Sequence, residues 1–196
     1  MRRVIVNEFM SIDGVAQAPG GDGEDSSGGF RHGGWHMPFM EDEVAQKWVL
    51  ESILEAGGYL LGRKTYEIFA AFWPNAPEEE QVVAEPLNTR PKYVASTTLT
   101  GPLDWQNSTL LDGDLAAAVT ELKQQEGGDV HVIGSTNLVQ SLVEHGLVDE
   151  FRLMIDPLAL GGGKRFLPDD GVLRPLRLVD SRVTGTGAIL ATLATG

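Results

Sequence analysis

The 196-residue chain has no cysteine, which excludes disulfide frameworks, thiol nucleophiles and cysteine-ligated zinc in one step. It is also poor in cations: 15 Lys and Arg stand against 28 Asp and Glu, a formal net charge of -13. Polyanions are bound by neutralising their phosphates, so nucleic acid and anionic membrane surfaces are not expected partners. Long apolar runs are missing as well. No stretch approaches the ~18 residues of a membrane span. The apolar start Val4-Ile5-Val6 meets Asn7 and Glu8 at once, unlike the core of a signal peptide. A cytoplasmic protein is the expectation.

What is present suits a packed globular chain. Hydrophobic residues make up 42%, and folding at this length buries roughly 70% of the unfolded chain's surface. One domain over residues 1–196 is expected, with residues 17–40 as a loop insertion within it. Arg3 to Ile12 reads as a strand ended by the turn Asp13-Gly14. Residues 18–35 hold Pro19, seven glycines and two serines, with almost nothing apolar. Such a stretch is either a surface loop or a lid that lines a pocket.

Glu41 to Ala56 begins with three acids, repeats apolar residues every three or four positions and stops at Gly57-Gly58, which is the pattern of a helix. Further strands are expected at Tyr59 to Leu61, Lys92 to Ser96, Val130 to Ile133 and Glu150 to Ile155. Helices are expected from Arg63 to Phe72, after a cap at Asp112 or Asp114, and from a cap at Ser135 to Glu144. Asn75 to Pro91 is a polar connection with room for a short helix. Leu176 to Thr184 and Gly187 to Leu193 alternate like a terminal hairpin. Strand and helix alternate through the middle, so the fold class is α/β, with a mixed, mostly parallel sheet and a C-terminal antiparallel hairpin.

Two strand-to-helix junctions are suited to chemistry. At Leu60-Leu61-Gly62-Arg63-Lys64-Thr65 the glycine permits a sharp turn, and the helix opens with two cations and a hydroxyl. Free N–H groups at a helix start attract anions, and these side chains add donors. In so acidic a chain they suit a phosphate ligand; the alternative is a solvated helix start. At Val132-Ile133-Gly134-Ser135-Thr136-Asn137-Leu138 a small residue lets a phosphate approach the backbone beside two hydroxyls; the alternative is a plain cap. This junction is neither a G-x-G-x-x-G fingerprint nor a Walker loop. Taken together, the two junctions suggest one nucleotide spanning two crevices at the carboxyl ends of the strands.

Ser96-Thr97-Thr98 is a further hydroxyl cluster, either a strand-end turn or a second phosphate contact shared with Arg63. His32 and His36 have the spacing of paired metal ligands on a helix, but Gly33-Gly34 between them argue against a helix there, and no metal is expected. His131 and His145 read as structural. Trp35, Pro38 and Phe39 are either a core anchor for the glycine-rich loop or one wall of a flat-ligand pocket.

An ordered set of motifs resembles the dihydrofolate reductase superfamily. It comprises Ser11-Ile12-Asp13-Gly14-Val15-Ala16, Gly62-Arg63-Lys64-Thr65-Tyr66-Glu67, Ser96-Thr97 and Ile133-Gly134-Ser135, then Leu147-Val148-Asp149-Glu150 running into Leu158-Ala159-Leu160-Gly161-Gly162-Gly163-Lys164. The likeness is closer to the C-terminal reductase domain of the bacterial bifunctional riboflavin-biosynthesis deaminase/reductase and its stand-alone relatives.

The resemblance implies a three-layer α/β/α fold and NADPH as cofactor. It also implies hydride transfer from the nicotinamide C4 to a C=N or C=O carbon of a small heterocycle such as a ribosylaminopyrimidine. It places Arg63 and Ser96 at the 2′-phosphate, Lys64 and Thr65 with the helix start at the pyrophosphate, and Gly134 and Ser135 beside the second phosphate-binding helix. Gly62, Thr97, Ile133, Thr136 and Leu138 complete the implied cofactor site. Asp13, Trp35 and Phe39 would border the nicotinamide and substrate pocket, with Asp13 and Glu43 as the catalytic carboxylates.

Dihydrofolate reductases carry a pterin-binding acid on the first helix. An ungapped register puts Gln46 there, and Glu43, one turn earlier, is the nearest carboxylate. Pterin or folate reduction is thus an alternative that depends on Glu43. A non-catalytic NADP(H)-binding homodimer is another, and the resemblance implies a homodimer in either case.

Overall fold

The computed structural model describes residues 1–111 and 113–196. The strands are β1 (Val4–Ser11), β2 (Gly58–Gly62), β3 (Lys92–Ala95), β4 (Ser108–Leu111), β5 (Val130–Ile133), β6 (Glu150–Asp156), β7 (Leu176–Val183) and β8 (Ile189–Thr195). The α-helices are α1 (Glu43–Glu55), α2 (Arg63–Phe72), α3 (Gln81–Thr89), α4 (Leu115–Gln124) and α5 (Thr136–Glu144), joined by several short 3-10 turns.

All eight strands form one sheet in the order β4-β3-β2-β5-β1-β6-β8-β7. The run from β4 to β6 is parallel, and β8 pairs antiparallel with both β6 and β7. A parallel sheet needs cover on both faces, and the apolar residues are divided accordingly. Val4, Val6, Leu60, Val130, Val132 and Leu153 pack with Val119 and Leu122 of α4 and Leu138, Val139 and Leu142 of α5. On the other face Tyr59, Leu61 and Val94 pack with Tyr66 of α2 and Leu87 of α3. Ala45 of α1 meets Met154 and Leu190 further along the sheet. The fold is the three-layer α/β/α arrangement with a closing hairpin.

Local chemistry explains where the elements begin. Helix α1 starts two residues later than its acids suggest, because Asp42 is the cap itself, accepting the N–H groups of Val44 and Ala45. Asp114 caps α4 by accepting the Ala117 N–H at 2.9 Å; Asp112, the other candidate, lies outside the described residues. Strand β4 has no counterpart in the sequence reading. It is four residues long at the sheet edge, bonded to β3, and too short and too polar at its start to show a period.

Because the strands from β4 to β6 run the same way, their carboxyl ends meet along one edge. Helices α2 and α5 start there. So do the turn at 160–163 and the loop 17–40, which folds back over that edge.

Candidate functional site

The starts of α2 and α5 are joined through one side chain. Ser135 sits at the cap position of α5 in a left-handed conformation (φ 65°), next to Gly134 at φ 60°. Its hydroxyl does not cap its own helix. It accepts the Gly62 N–H at 3.1 Å and lies 2.6 Å from Thr65 Oγ1. The expected role of Ser135 as helix cap is therefore corrected: the left-handed turn aims its oxygen at the neighbouring junction instead. Neither α2 nor α5 has a side-chain cap, so the first-turn N–H groups of both remain available to an anion.

These two starts border a cavity of about 420 Å³. Of the expected cofactor residues, Gly62, Arg63, Lys64, Thr65, Ser96, Thr97, Ser135, Thr136 and Leu138 line it, together with Ala16, Gln17, Ala18, Glu24, Asp25 and Lys164. Gly134 and Ile133 stand behind this lining, Ile133 packed against the core on the α2 side. The sequence reading brought the two junctions and the Ser96 cluster together correctly in space. Of the two readings of the glycine-rich loop, the pocket-lining one holds at Ala18, Glu24 and Asp25; the sequence reading assigned Lys164 no part in this site, and it stands with them in the opposite wall.

That opposite wall changes the electrostatics. Asp25 accepts from Lys64 Nζ at 3.1 Å and from Lys164 Nζ at 2.5 Å. Burial raises the Asp25 carboxyl, but the bonds from Lys164, Ser27 and Lys64 outweigh it and hold the group below the ordinary carboxylate range. Arg63 bonds Glu67 one turn along α2 at 3.1 Å, on the exposed side of the helix. The two cations that stood out in the sequence are therefore partnered by carboxylates, Lys64 by one from the loop.

The glycine-rich loop is tied down by buried anchors. Gln17 donates to the carbonyls of Asp25 and Ser27 and accepts the Lys164 N–H, each at 2.9 Å. Trp35 is buried, its indole N–H donating to the Gln17 carbonyl at 2.8 Å. His36 bonds Asp156 at 2.7 Å, both buried, and stacks on Phe9 with ring centroids 3.8 Å apart. Burial raises Asp156, and the bond from His36 opposes that rise. Phe39 packs beside Met154 and Ala45. Trp35 and Phe39 thus act as core anchors, and neither borders the cavity.

The two expected catalytic carboxylates lie elsewhere too. Asp13 accepts from Ser11 Oγ at 2.6 Å, Leu160 N–H at 3.1 Å and Gly161 N–H at 2.8 Å, and the Ser11 bond leads in pulling its carboxyl down to about 2. It is an ionised clamp on the glycine turn, not a proton donor at neutral pH. Glu43 is exposed on the first turn of α1 and does not line the cavity at the starts of α2 and α5.

A different carboxyl is buried. Glu8, 4% exposed on β1, lies one residue past Asn7, the last β1 residue paired with β5. Burial, with a smaller contribution from Glu24, pushes it up to about 8, and its Oε2 has no partner among the described residues. Only an acid inside a strand otherwise rich in apolar residues hinted at it. Among the described residues no group of three metal-ligating side chains occurs, and no helix is long and apolar enough to cross a membrane.

Comparison with known proteins places this geometry. The uncharacterized protein YyaP of Bacillus subtilis (strain 168) is 26% identical over 190 residues, covering 96% of this chain and 92% of YyaP. YwjB of the same organism is 26% identical over 104 residues, about half of each chain (53% and 54%). Among solved structures, a protein described as a riboflavin biosynthesis protein from Shewanella sp. PV-4 superposes with TM-score 0.71 at 18% identity, over 99% of both chains. A pyrimidine reductase-like protein of Corynebacterium diphtheriae gives 0.67 at 13%, over 100% and 92%. Dihydrofolate reductase from Enterococcus faecalis, complexed with NADP(H), gives 0.59 at 15%, over 99% and 96%. At these identities the structural likeness speaks for the fold, which is dihydrofolate reductase-like. Residues 2–190 match the model of the RibD C-terminal domain, and the chain belongs to that family.

Proposed function

We propose that the protein is an NADPH-dependent reductase of the riboflavin type, passing hydride to a C=N or C=O carbon of a small heterocycle. The observation that carries this reading is the convergence of Arg63, Lys64, Ser96 and two uncapped helix starts on one cavity at the carboxyl edge of a parallel sheet. Anionic ligands collect at such edges. The donor set fits a dinucleotide phosphate: guanidinium and hydroxyl for the 2′-phosphate, and ammonium, Thr65 and helix N–H groups for the pyrophosphate.

NADPH, when bound, supplies the hydride. The chain's own share is orientation and exclusion of water. Arg63 and Ser96 hold one end of the ligand, and the starts of α2 and α5 hold the middle. Ala16, Gln17 and Ala18, all buried, wall the cavity from the loop side. Asp13 keeps the glycine turn against that wall.

The test is titration with NADPH and NADH followed by thermal unfolding, then NADPH oxidation with heterocyclic imines and carbonyl compounds. Stabilisation by NADPH and turnover of one class support the reading. If neither nucleotide raises the unfolding temperature, the cofactor assignment fails. The reading extends to a homodimer through β7, an edge strand whose residues are all exposed and which includes Leu178, Val179 and Val183. An unpaired edge of that kind is a template for a second copy.

A further inference from the structure

We propose that Lys64 and Lys164 form a two-lysine anion subsite in which the Asp25 carboxylate stands in for a ligand's phosphate, and that a phosphate or diphosphate group displaces Asp25 on binding. The reductase reading enters only in naming that ligand as the cofactor or substrate; the subsite rests on the side chains themselves. Three segments far apart in sequence meet at one point: the loop, the first turn of α2 and the residue after the glycine turn. Each ammonium bonds its own oxygen of Asp25, Lys64 at Oδ1 (3.1 Å) and Lys164 at Oδ2 (2.5 Å). A phosphate offers two such oxygens with more negative charge, so exchange favours it.

The exchange is confined to one side chain. The Gln17 amide fixes the Asp25 carbonyl and the Lys164 N–H to each other, so rotation of the Asp25 carboxylate, which also gives up the Ser27 N–H at 3.1 Å, vacates the lysines while the backbone stays in place. The lysine side chains are 52% and 32% exposed and that of Asp25 15%, so the cationic ends of both pairs are open to an incoming anion, and ion pairs open to water are weak. Lys164 also borders a second cavity of about 490 Å³, lined by Arg31 and His32 of the loop and by the glycine turn, with no carboxylate in its wall among the described residues. An anion on the two lysines therefore lies beside Lys164, which lines both cavities, in a chain that is otherwise strongly acidic.

Inorganic pyrophosphate, titrated by calorimetry at fixed ionic strength into wild type, Asp25→Asn and Lys164→Met, tests this. Asp25→Asn should bind about tenfold more tightly and Lys164→Met about tenfold more weakly. Lys164→Met leaves Asp25 bonded to Lys64, so the test does not depend on how well Asp25→Asn folds. Unchanged or weaker binding by a folded Asp25→Asn, or unchanged binding by Lys164→Met, overturns the subsite. Parallel NADPH titrations separate the two ideas. A pyrophosphate response without nucleotide binding keeps the subsite and removes the reductase reading. NADPH binding without any change in pyrophosphate affinity does the reverse.

Discussion

The Ser135 hydroxyl accepts the Gly62 N–H at 3.1 Å, so the turn that opens α5 is bonded to the turn that opens α2. The contact leaves no spare volume. A Cβ on Gly62 would stand 2.7 Å from the Ser135 Cβ, closer than side chains tolerate. Glycine here serves close approach between the turns that open α2 and α5, and its own φ of -77° is ordinary.

Gly62→Ala should therefore push the two turns apart. Overpacking of this kind costs about 1–3 kcal/mol, read as a lower urea midpoint with an unchanged slope. Binding of NADPH should weaken in parallel, since the helix starts that receive it are displaced. An alanine variant with wild-type midpoint and affinity would show that the contact is soft.

Arg63→Ala isolates the 2′-phosphate. Arg63 lines the cavity and bonds Glu67 on the solvent side, so its removal leaves the core intact. NADPH should bind about tenfold or more weakly, in line with the loss of a charge-assisted contact, while NADH changes little. Equal losses for both nucleotides would refute the assignment.

Glu8 makes stability depend on pH in a direction unusual for a carboxylate. The folded protein keeps this proton up to about pH 8, whereas the ordinary value is 4.5. Between those values the folded state binds more protons than the unfolded one, so rising pH costs stability by up to about 1.4 kcal/mol per unit. Glu8→Gln removes the dependence. Chemical denaturation between about pH 5 and 8 should show the wild type losing stability relative to the variant; parallel curves would be evidence against the buried proton.

Val179→Lys tests the β7 edge. Val179 is 52% exposed on a strand paired on one side with β8, and a lysine on a sheet edge discourages further pairing. Sedimentation should show a dimer for wild type and a monomer for the variant, with the same unfolding midpoint at low concentration. A monomeric wild type would dispose of the homodimer.

Much of the architecture was legible because helix and strand periods, caps and glycine stops are local. Val130 to Ile133, Arg63 to Phe72 and the closing hairpin carry their patterns in a few residues each. Edge strand β4 was not legible, since its four residues gain their conformation from pairing with β3. The two cavity-lining junctions were legible as helix starts rich in donors. Trp35 and Phe39 were ambiguous, because an aromatic cluster after a loop looks the same whether it packs into a core or walls a pocket.

The acids divide most clearly between what the chain order reveals and what folding settles. Composition alone establishes a cysteine-free chain with a net charge of -13, and the alternation of strand and helix patterns establishes its α/β class. Nothing in the order of residues singles out Asp25 from Asp22 and Glu24 beside it. Its place between Lys64 and Lys164, 39 and 139 residues away, follows from the path of the loop over the sheet edge. Likewise Asp13 and Glu8 are both carboxyls on or just beyond the first strand. Hydrogen bonds from Ser11 first, then from the glycine turn, hold one well below the usual carboxylate range, and burial beside the end of β5 pushes the other up. Charge state depends on surroundings brought together from distant segments, and only the folded chain supplies them.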